Sequence, residues 1–98
     1  MSGQIGVAPG ATELSPGGIE GESKQAMENI KTILEAHGYG MENLVKCTVT
    51  LADMSEWTTF NDVYREYFTD HFPARSAFGA SGLAFEGRVE IECIAAIE

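Results

Sequence analysis

Two short runs in this chain carry residues that could do chemistry together. In Phe72-Pro73-Ala74-Arg75-Ser76 an arginine closely follows a proline, and in Val89-Glu90-Ile91-Glu92-Cys93-Ile94-Ala95 acids alternate with apolar residues. Arg75 cannot lose its charge, and its planar fork fits a carboxylate through two parallel hydrogen bonds. Glu90 and Glu92 share one strand face, because strand side chains alternate with a period of two. A fixed cation beside an acid in a half-buried sheet would let a small enzyme hold an anionic substrate next to a base. The same pattern suits a structural ion pair at a sheet rim, and spacing alone does not choose between them.

Other candidates are weaker. Glu90 and Glu92 could share acid/base work, although a solvated strand face fits Glu92 better. Ser2 and Gly3 could offer backbone N–H groups to a ligand from a strand edge. Asn61, between Phe60 and Asp62 on a helical pattern, is either a polar anchor or simply exposed. His37 and His71 have no zinc-like spacing to each other or to the cysteines, so no metal is expected. Ser76 lacks the surroundings of a nucleophilic serine. Gly79, Gly82 and Gly87 match neither a Walker nor a dinucleotide fingerprint, and no helix follows them.

The elements that must position these residues follow from periodicity. Residues 2–8 read as a short strand or strand end, and a turn-rich stretch with Pro9, Gly10, Pro16, Gly17 and Gly18 comes next. Ala26, Met27, Ile30, Ile33, Leu34 and His37 recur at three and four, the stripe of an amphipathic helix, with Lys24, Glu28, Lys31 and Glu35 opposite and Gly38 as its stop. Val45, Cys47, Val49 and Leu51 alternate with Lys46, Thr48 and Thr50 as a half-buried strand. Asp53 or Ser55 can cap a second helix whose aromatic stripe, Trp57, Phe60, Tyr64, Tyr67 and Phe68, reads as core. Pro73 ends that unit and opens the strand around Arg75. A glycine-containing loop then leads to the last strand, where Val89, Ile91, Cys93, Ala95 and Ile97 share a face. Strand, helix, strand, helix, strand, strand is an α+β order, with both helices on one face of the sheet. Thr48, Thr50, Glu90 and Glu92 make the other face polar, turned to solvent or to another subunit.

Bulk properties bound the function. Ninety-eight residues fit a single domain spanning 1–98, small enough that self-association is a natural route to more burial. Fifteen acids against six lysines and arginines give a net charge of -9. That balance argues against nucleic acid and anionic membranes as partners. Cys47 and Cys93 sit in apolar strand patterns, which reads as buried free thiols in a reducing compartment, with a cross-strand disulfide as the lesser alternative. With neither a membrane-length apolar run nor the regions of a signal peptide, a cytoplasmic location is expected.

Read together, Ser2-Gly3-Gln4-Ile5-Gly6, Gln25-Ala26-Met27-Glu28-Asn29-Ile30, Val45-Lys46-Cys47-Thr48-Val49, Phe60-Asn61-Asp62-Val63-Tyr64 and the two runs around Arg75 and Glu90 resemble the RidA/YjgF family of small trimeric enamine/imine deaminases. The resemblance covers essentially the whole chain. It implies a chorismate-mutase-like α+β fold, three subunits closing their sheets into a central barrel, and ligand clefts between subunits. It further implies that Arg75 clamps a substrate carboxylate and that Glu90 positions or activates a water. Ser2, Gly3 and Asn61 would line the same cleft, and Ala77 would contribute main-chain contacts. The reaction so implied, hydrolysis of 2-aminoacrylate-type enamines and imines to 2-keto acids and ammonia, needs orientation and one base, without cofactor.

The chain departs from the family pattern in three places. It begins at the Ser-Gly motif, where relatives usually carry about two further strands. A bared sheet edge is therefore expected, as is the loss or replacement of an aromatic cleft wall. Ala77 stands where Cys or Thr is common, which a main-chain contact would survive, and Ala84 stands where Pro is frequent. A non-catalytic trimer that holds small carboxylates such as 2-keto acids is the competing reading. RNA cleavage, suggested for relatives, is disfavoured by the net charge.

Overall fold

The computed structural model describes residues 3–69 and 72–96; Ser2, His71 and Ile97 lie outside them. The order is β1 (Gln4–Ile5), α1 (Gly18–Ala36), β2 (Leu44–Leu51), α2 (Trp57–Arg65), β3 (Ala74–Gly79) and β4 (Val89–Ala95), with single 3-10 turns at Met41–Asn43, Met54–Glu56 and Ala84–Glu86. The sheet runs β1-β4-β2-β3; β2 is antiparallel to β4 and parallel to β3. The parallel step is possible because α2 forms the crossover between β2 and β3.

Ala26, Met27, Ile30 and Leu34 of α1 pack with Phe60 and Tyr64 of α2 over Cys47, Val49, Leu51, Val89, Ile91 and Cys93. The α+β architecture with its helices over one sheet face thus follows from the two stripes and the strand alternation. Within α1, Ile33 is only half-buried and His37 is exposed. His37 leaves the stripe because the helix ends in a Schellman turn: Gly38 adopts φ 81°, Gly38 N–H donates to Glu35 O at 3.1 Å and Tyr39 N–H to Leu34 O at 2.9 Å.

The alternation expected of β2 holds from Cys47 onward but fails at its start. Leu44 is buried while Val45 is 44 % exposed, because a bulge between Leu44 and Lys46 resets the phase. α2 is also shorter than its aromatic stripe. It ends at Arg65, so Tyr67 and Phe68 reach the core from the turn beyond it. Asp53 caps the approach to α2 through the Ser55 N–H, 2.9 Å away, which holds its carboxyl below the usual range.

β1 has two paired residues and needs other anchors. The buried Asn29 of α1 supplies them, its amide donating to Ile5 O at 3.2 Å and Val7 O at 2.9 Å. Gln25 donates in turn to Asn29 Oδ1 at 2.9 Å. No helix among the described residues is long and apolar enough to cross a membrane.

Candidate functional site

Arg75 enters β3 one residue after Ala74 and registers with Cys47 of β2, which registers with Cys93 of β4. Residues in direct register share a face, so Arg75 belongs to the helix-covered side at the sheet's outermost strand. There α2 meets it with three side chains. The Arg75 guanidinium carbon lies 4.7 Å from the centroids of both the Trp57 and Tyr64 rings, and Nη1 donates to Asn61 Oδ1 at 2.6 Å. Trp57, Asn61 and Tyr64 fall at i, i+4 and i+7, one stripe of the helix. Two aromatic faces and one amide fix the fork's plane without neutralising it.

The stacked guanidinium opens on a cavity of about 330 Å³ lined by Asn61, Tyr64, Arg65, Phe72, Pro73 and Arg75. The aromatic stripe read as core is therefore double-purposed. Phe60 and Tyr64 are buried, yet Trp57 and Tyr64 also wall the cation, and Phe72 is 53 % exposed at the cavity. The i, i+4, i+7 set around Asn61 was the available signal, but nothing local says which helix face meets a strand edge.

Ala77 follows Arg75 on the same face, its methyl against the core. The Ala80 N–H donates to Leu51 O at 2.9 Å, and backbone direction alternates along a strand, so the Ala77 N–H and C=O point away from β2. Ala77 can thus offer main-chain contacts at the open side of β3.

Glu90 is held elsewhere. It registers with Ile5 of β1 and Thr50 of β2, and it is half-buried. Thr50 alternates with the buried Val49 and Leu51, so Glu90 faces away from the helices, as does Glu92 beside Thr48. Gly3 lies against Glu90 so closely that a Cβ there would overlap its carboxylate, coming within 2.9 Å of Glu90 Cδ. The start of β4 is pinned from two sides: Arg88 N–H donates to Glu22 Oε1 at 2.8 Å, and its Nη1 is 3.0 Å from each Glu56 carboxylate oxygen. These tethers, unmarked by any motif, set the phase of Glu90 two residues on.

One chain therefore keeps its candidate site residues in two separate groups. Arg75, Asn61 and Ala77 gather at the β3 edge on the helix side, whereas Gly3 and Glu90 meet on the bare face. The sequence-based picture of Arg75 beside Glu90 does not arise within a single protomer. Ser2 lies outside the described residues. Behind Arg75, the buried Cys47 and Cys93 are free thiols. Hydrogen bonding from Cys93, helped by the adjacent Tyr64 and the Arg75 charge, lowers the Cys47 pKa against the opposing effect of burial; that of Cys93 is raised by the same thiol pair.

A family model described as Endoribonuclease L-PSP matches residues 1–97. The chain is 50 % identical over 95 residues to a 2-iminobutanoate/2-iminopropanoate deaminase of Bos taurus, spanning 97 % of this chain and 69 % of that protein. It is 44 % identical over 95 residues to the protein of the same name from Homo sapiens, with coverage of 97 % and 69 %. Among solved structures, RidA of an Antarctic Psychrobacter superposes with a TM-score of 0.93 at 38 % identity, covering 99 % of this chain and 78 % of that one.

Proposed function

This chain belongs to the Endoribonuclease L-PSP family, and from that premise we propose that it is a hydrolytic imine deaminase. Its substrates are small 2-imino acids and the 2-aminoacrylate-type enamines in equilibrium with them. The products are a 2-keto acid and ammonia. Relatives named 2-iminobutanoate/2-iminopropanoate deaminase at 44 % and 50 % identity support the reaction class. The observation that carries the reading is the Arg75 guanidinium stacked between Trp57 and Tyr64 and turned to a cavity. A cation so fixed receives the α-carboxylate through charge-assisted hydrogen bonds and aims the neighbouring C=N carbon.

Hydrolysis then needs one water. Glu90 accepts a proton from it as the oxygen attacks the imine carbon, and the C=N pair moves onto nitrogen. Glu90 returns that proton to the nitrogen, giving the carbinolamine; the hydroxyl proton then passes through Glu90 to the amino group, and the C–N bond breaks as the C=O bond closes, releasing ammonia. The Ala77 backbone at the β3 edge, together with Ser2 and Gly3 at the chain start, completes the cleft. Because Arg75 and Glu90 occupy opposite faces of one sheet, the working site takes Arg75 from one protomer and Glu90 from its neighbour in a homotrimer. Fifteen acids against six basic residues disfavour an RNA backbone as substrate.

A non-catalytic trimer holding 2-keto acids is the second reading, favoured by one fact: the clamp is assembled within a single chain and does not need the base. The discriminating experiment generates an imine in situ with an amino-acid oxidase and follows ammonia or keto-acid release. Acceleration by the wild type, with loss of about a hundredfold in Arg75→Ala, is the expected result. No acceleration by a folded wild type, with keto acids still raising its Tm, would leave the binder.

A further inference from the structure

We infer that this site takes imines of dicarboxylic amino acids, with Arg75 on the α-carboxylate and Arg65 on the distal one. The inference rests on the reading of Arg75 as a carboxylate clamp. It begins with the scarcity of positive charge. The chain has six lysines and arginines for fifteen acids, yet two of the six line one cavity of about 330 Å³. Among the described residues no carboxylate lines that cavity; its remaining lining is Asn61, Tyr64, Phe72 and Pro73.

Two of the other cations are ion-paired, whereas Lys31 and Lys46 have no ion pair among the described residues. Lys24 lies 3.4 Å from Glu20, and Arg88 lies 3.0 Å from Glu56. The Arg65 side chain has no ion pair or hydrogen bond among the described residues. Two guanidiniums lining one cavity, with no carboxylate in its lining among the described residues, make that cavity locally positive and favourable to an anion. A ligand with two negative groups relieves both charges at once.

The helix sets the spacing. Asn61, which accepts from Arg75, and Arg65 are four residues apart on α2, so their side chains are neighbours on one face. Arg65 thus stands one helical turn beyond the amide that orients the clamp. A short chain between two carboxylates can span such a step, with Phe72 and Pro73 offering apolar surface to its methylenes. The cavity volume suits a molecule of that size.

Binding and turnover are measured separately for wild type, Arg65→Gln and Arg65→Lys. Calorimetry compares 2-oxoglutarate with 2-oxopentanoate, which match in carbon number and differ in the distal carboxylate. Wild type should bind the dicarboxylate about tenfold tighter, Arg65→Gln should erase that ratio, and Arg65→Lys should keep part of it. Turnover of the imines made from glutamate and norvaline should follow, the kcat/KM ratio falling about tenfold in Arg65→Gln. Equal binding of the two keto acids by wild type, or a ratio untouched by Arg65→Gln, overturns the inference. If neither imine is hydrolysed faster than in buffer while the Arg65-dependent binding ratio persists, deamination fails and the dicarboxylate specificity stands.

Discussion

Arg75 and Glu90 lie on opposite faces of the same sheet. Arg75 shares the row of Cys47 and Cys93 under the helices, and Glu90 shares the row of Ile5 and Thr50 on the bare side. No side-chain rotamer can bring them together, because a strand's two faces are separated by its own backbone. What one chain cannot assemble, a rotationally related copy can. In the homotrimer proposed above, the bare face that carries Glu90 is an interface and the β3 edge that carries Arg75 is the rim of a neighbour's cleft.

Subunit mixing tests that arrangement. Arg75→Ala and Glu90→Gln should each be inactive alone. When the two are unfolded together and refolded in equal amounts, about a quarter of the sites should unite an intact Arg75 with an intact Glu90. Recovery of activity toward that fraction is expected in the ammonia-release assay. A mixture as inactive as its parents would mean that both residues must come from one chain, contrary to the face assignment.

In the proposed reaction Trp57 has one role, to stack on the Arg75 guanidinium. Trp57→Ala leaves Arg75 with one aromatic wall and Asn61, so the fork gains freedom that substrate binding must remove. A cation–π contact at an exposed site is worth about 0.5–1 kcal/mol, which predicts a rise in KM of about twofold to fivefold. Trp57→Phe, retaining a ring face, should restore most of it. A kcat effect without a KM effect would place Trp57 in the chemistry rather than in orientation.

Periodicity made much of this architecture legible. The two helices, the buried Cys47–Val49–Leu51 alternation and the β4 alternation are local patterns, and burial acts on them directly. The misplacements arise where the phase is reset without a residue signature. The bulge before Lys46 exposes Val45, and the Schellman turn carries His37 off the stripe of α1. The opposition of Arg75 and Glu90 was illegible for a different reason. It depends on β3 pairing parallel to β2 with Arg75 opposite Cys47, a non-local register that neither segment encodes alone. Arg65 carries no signal in the sequence, because an arginine on a helix surface needs no explanation until the cavity beside it is known.

Tyr64 makes separable predictions about stability. It is 1 % exposed, and its hydroxyl finds no hydrogen bond of good geometry, although the Cys47 thiol lies alongside. An unpaired buried hydroxyl costs about 1–3 kcal/mol, so Tyr64→Phe should be neutral or stabilising in urea denaturation at pH 8. Burial, and then the Cys47 thiol, also push the Tyr64 phenol above its ordinary value of 10.0. A raised acid favours the folded state fully below pH 10, where both states are protonated. That advantage falls as the unfolded chain loses its proton first at higher pH. Wild type should therefore lose stability between pH 10 and 11 more steeply than Tyr64→Phe. Tyr67, raised by burial and by Glu28 at 2.6 Å, should keep some slope in the variant.

Gly3→Ala separates function from folding most cleanly. The added methyl would collide with the Glu90 carboxylate, and that carboxylate ends a flexible side chain. Moving it aside is cheap for the fold, since Gly3 is exposed and its strand is held by Asn29 through Ile5 and Val7. Stability should change by no more than about 0.5 kcal/mol. Turnover should not be spared: a displacement of about 1 Å in the group that delivers water costs on the order of a hundredfold. The fall should appear in kcat, because Arg75, the proposed carboxylate clamp, is untouched. An unchanged kcat in Gly3→Ala would show that Glu90 does not work from the position Gly3 leaves open to it.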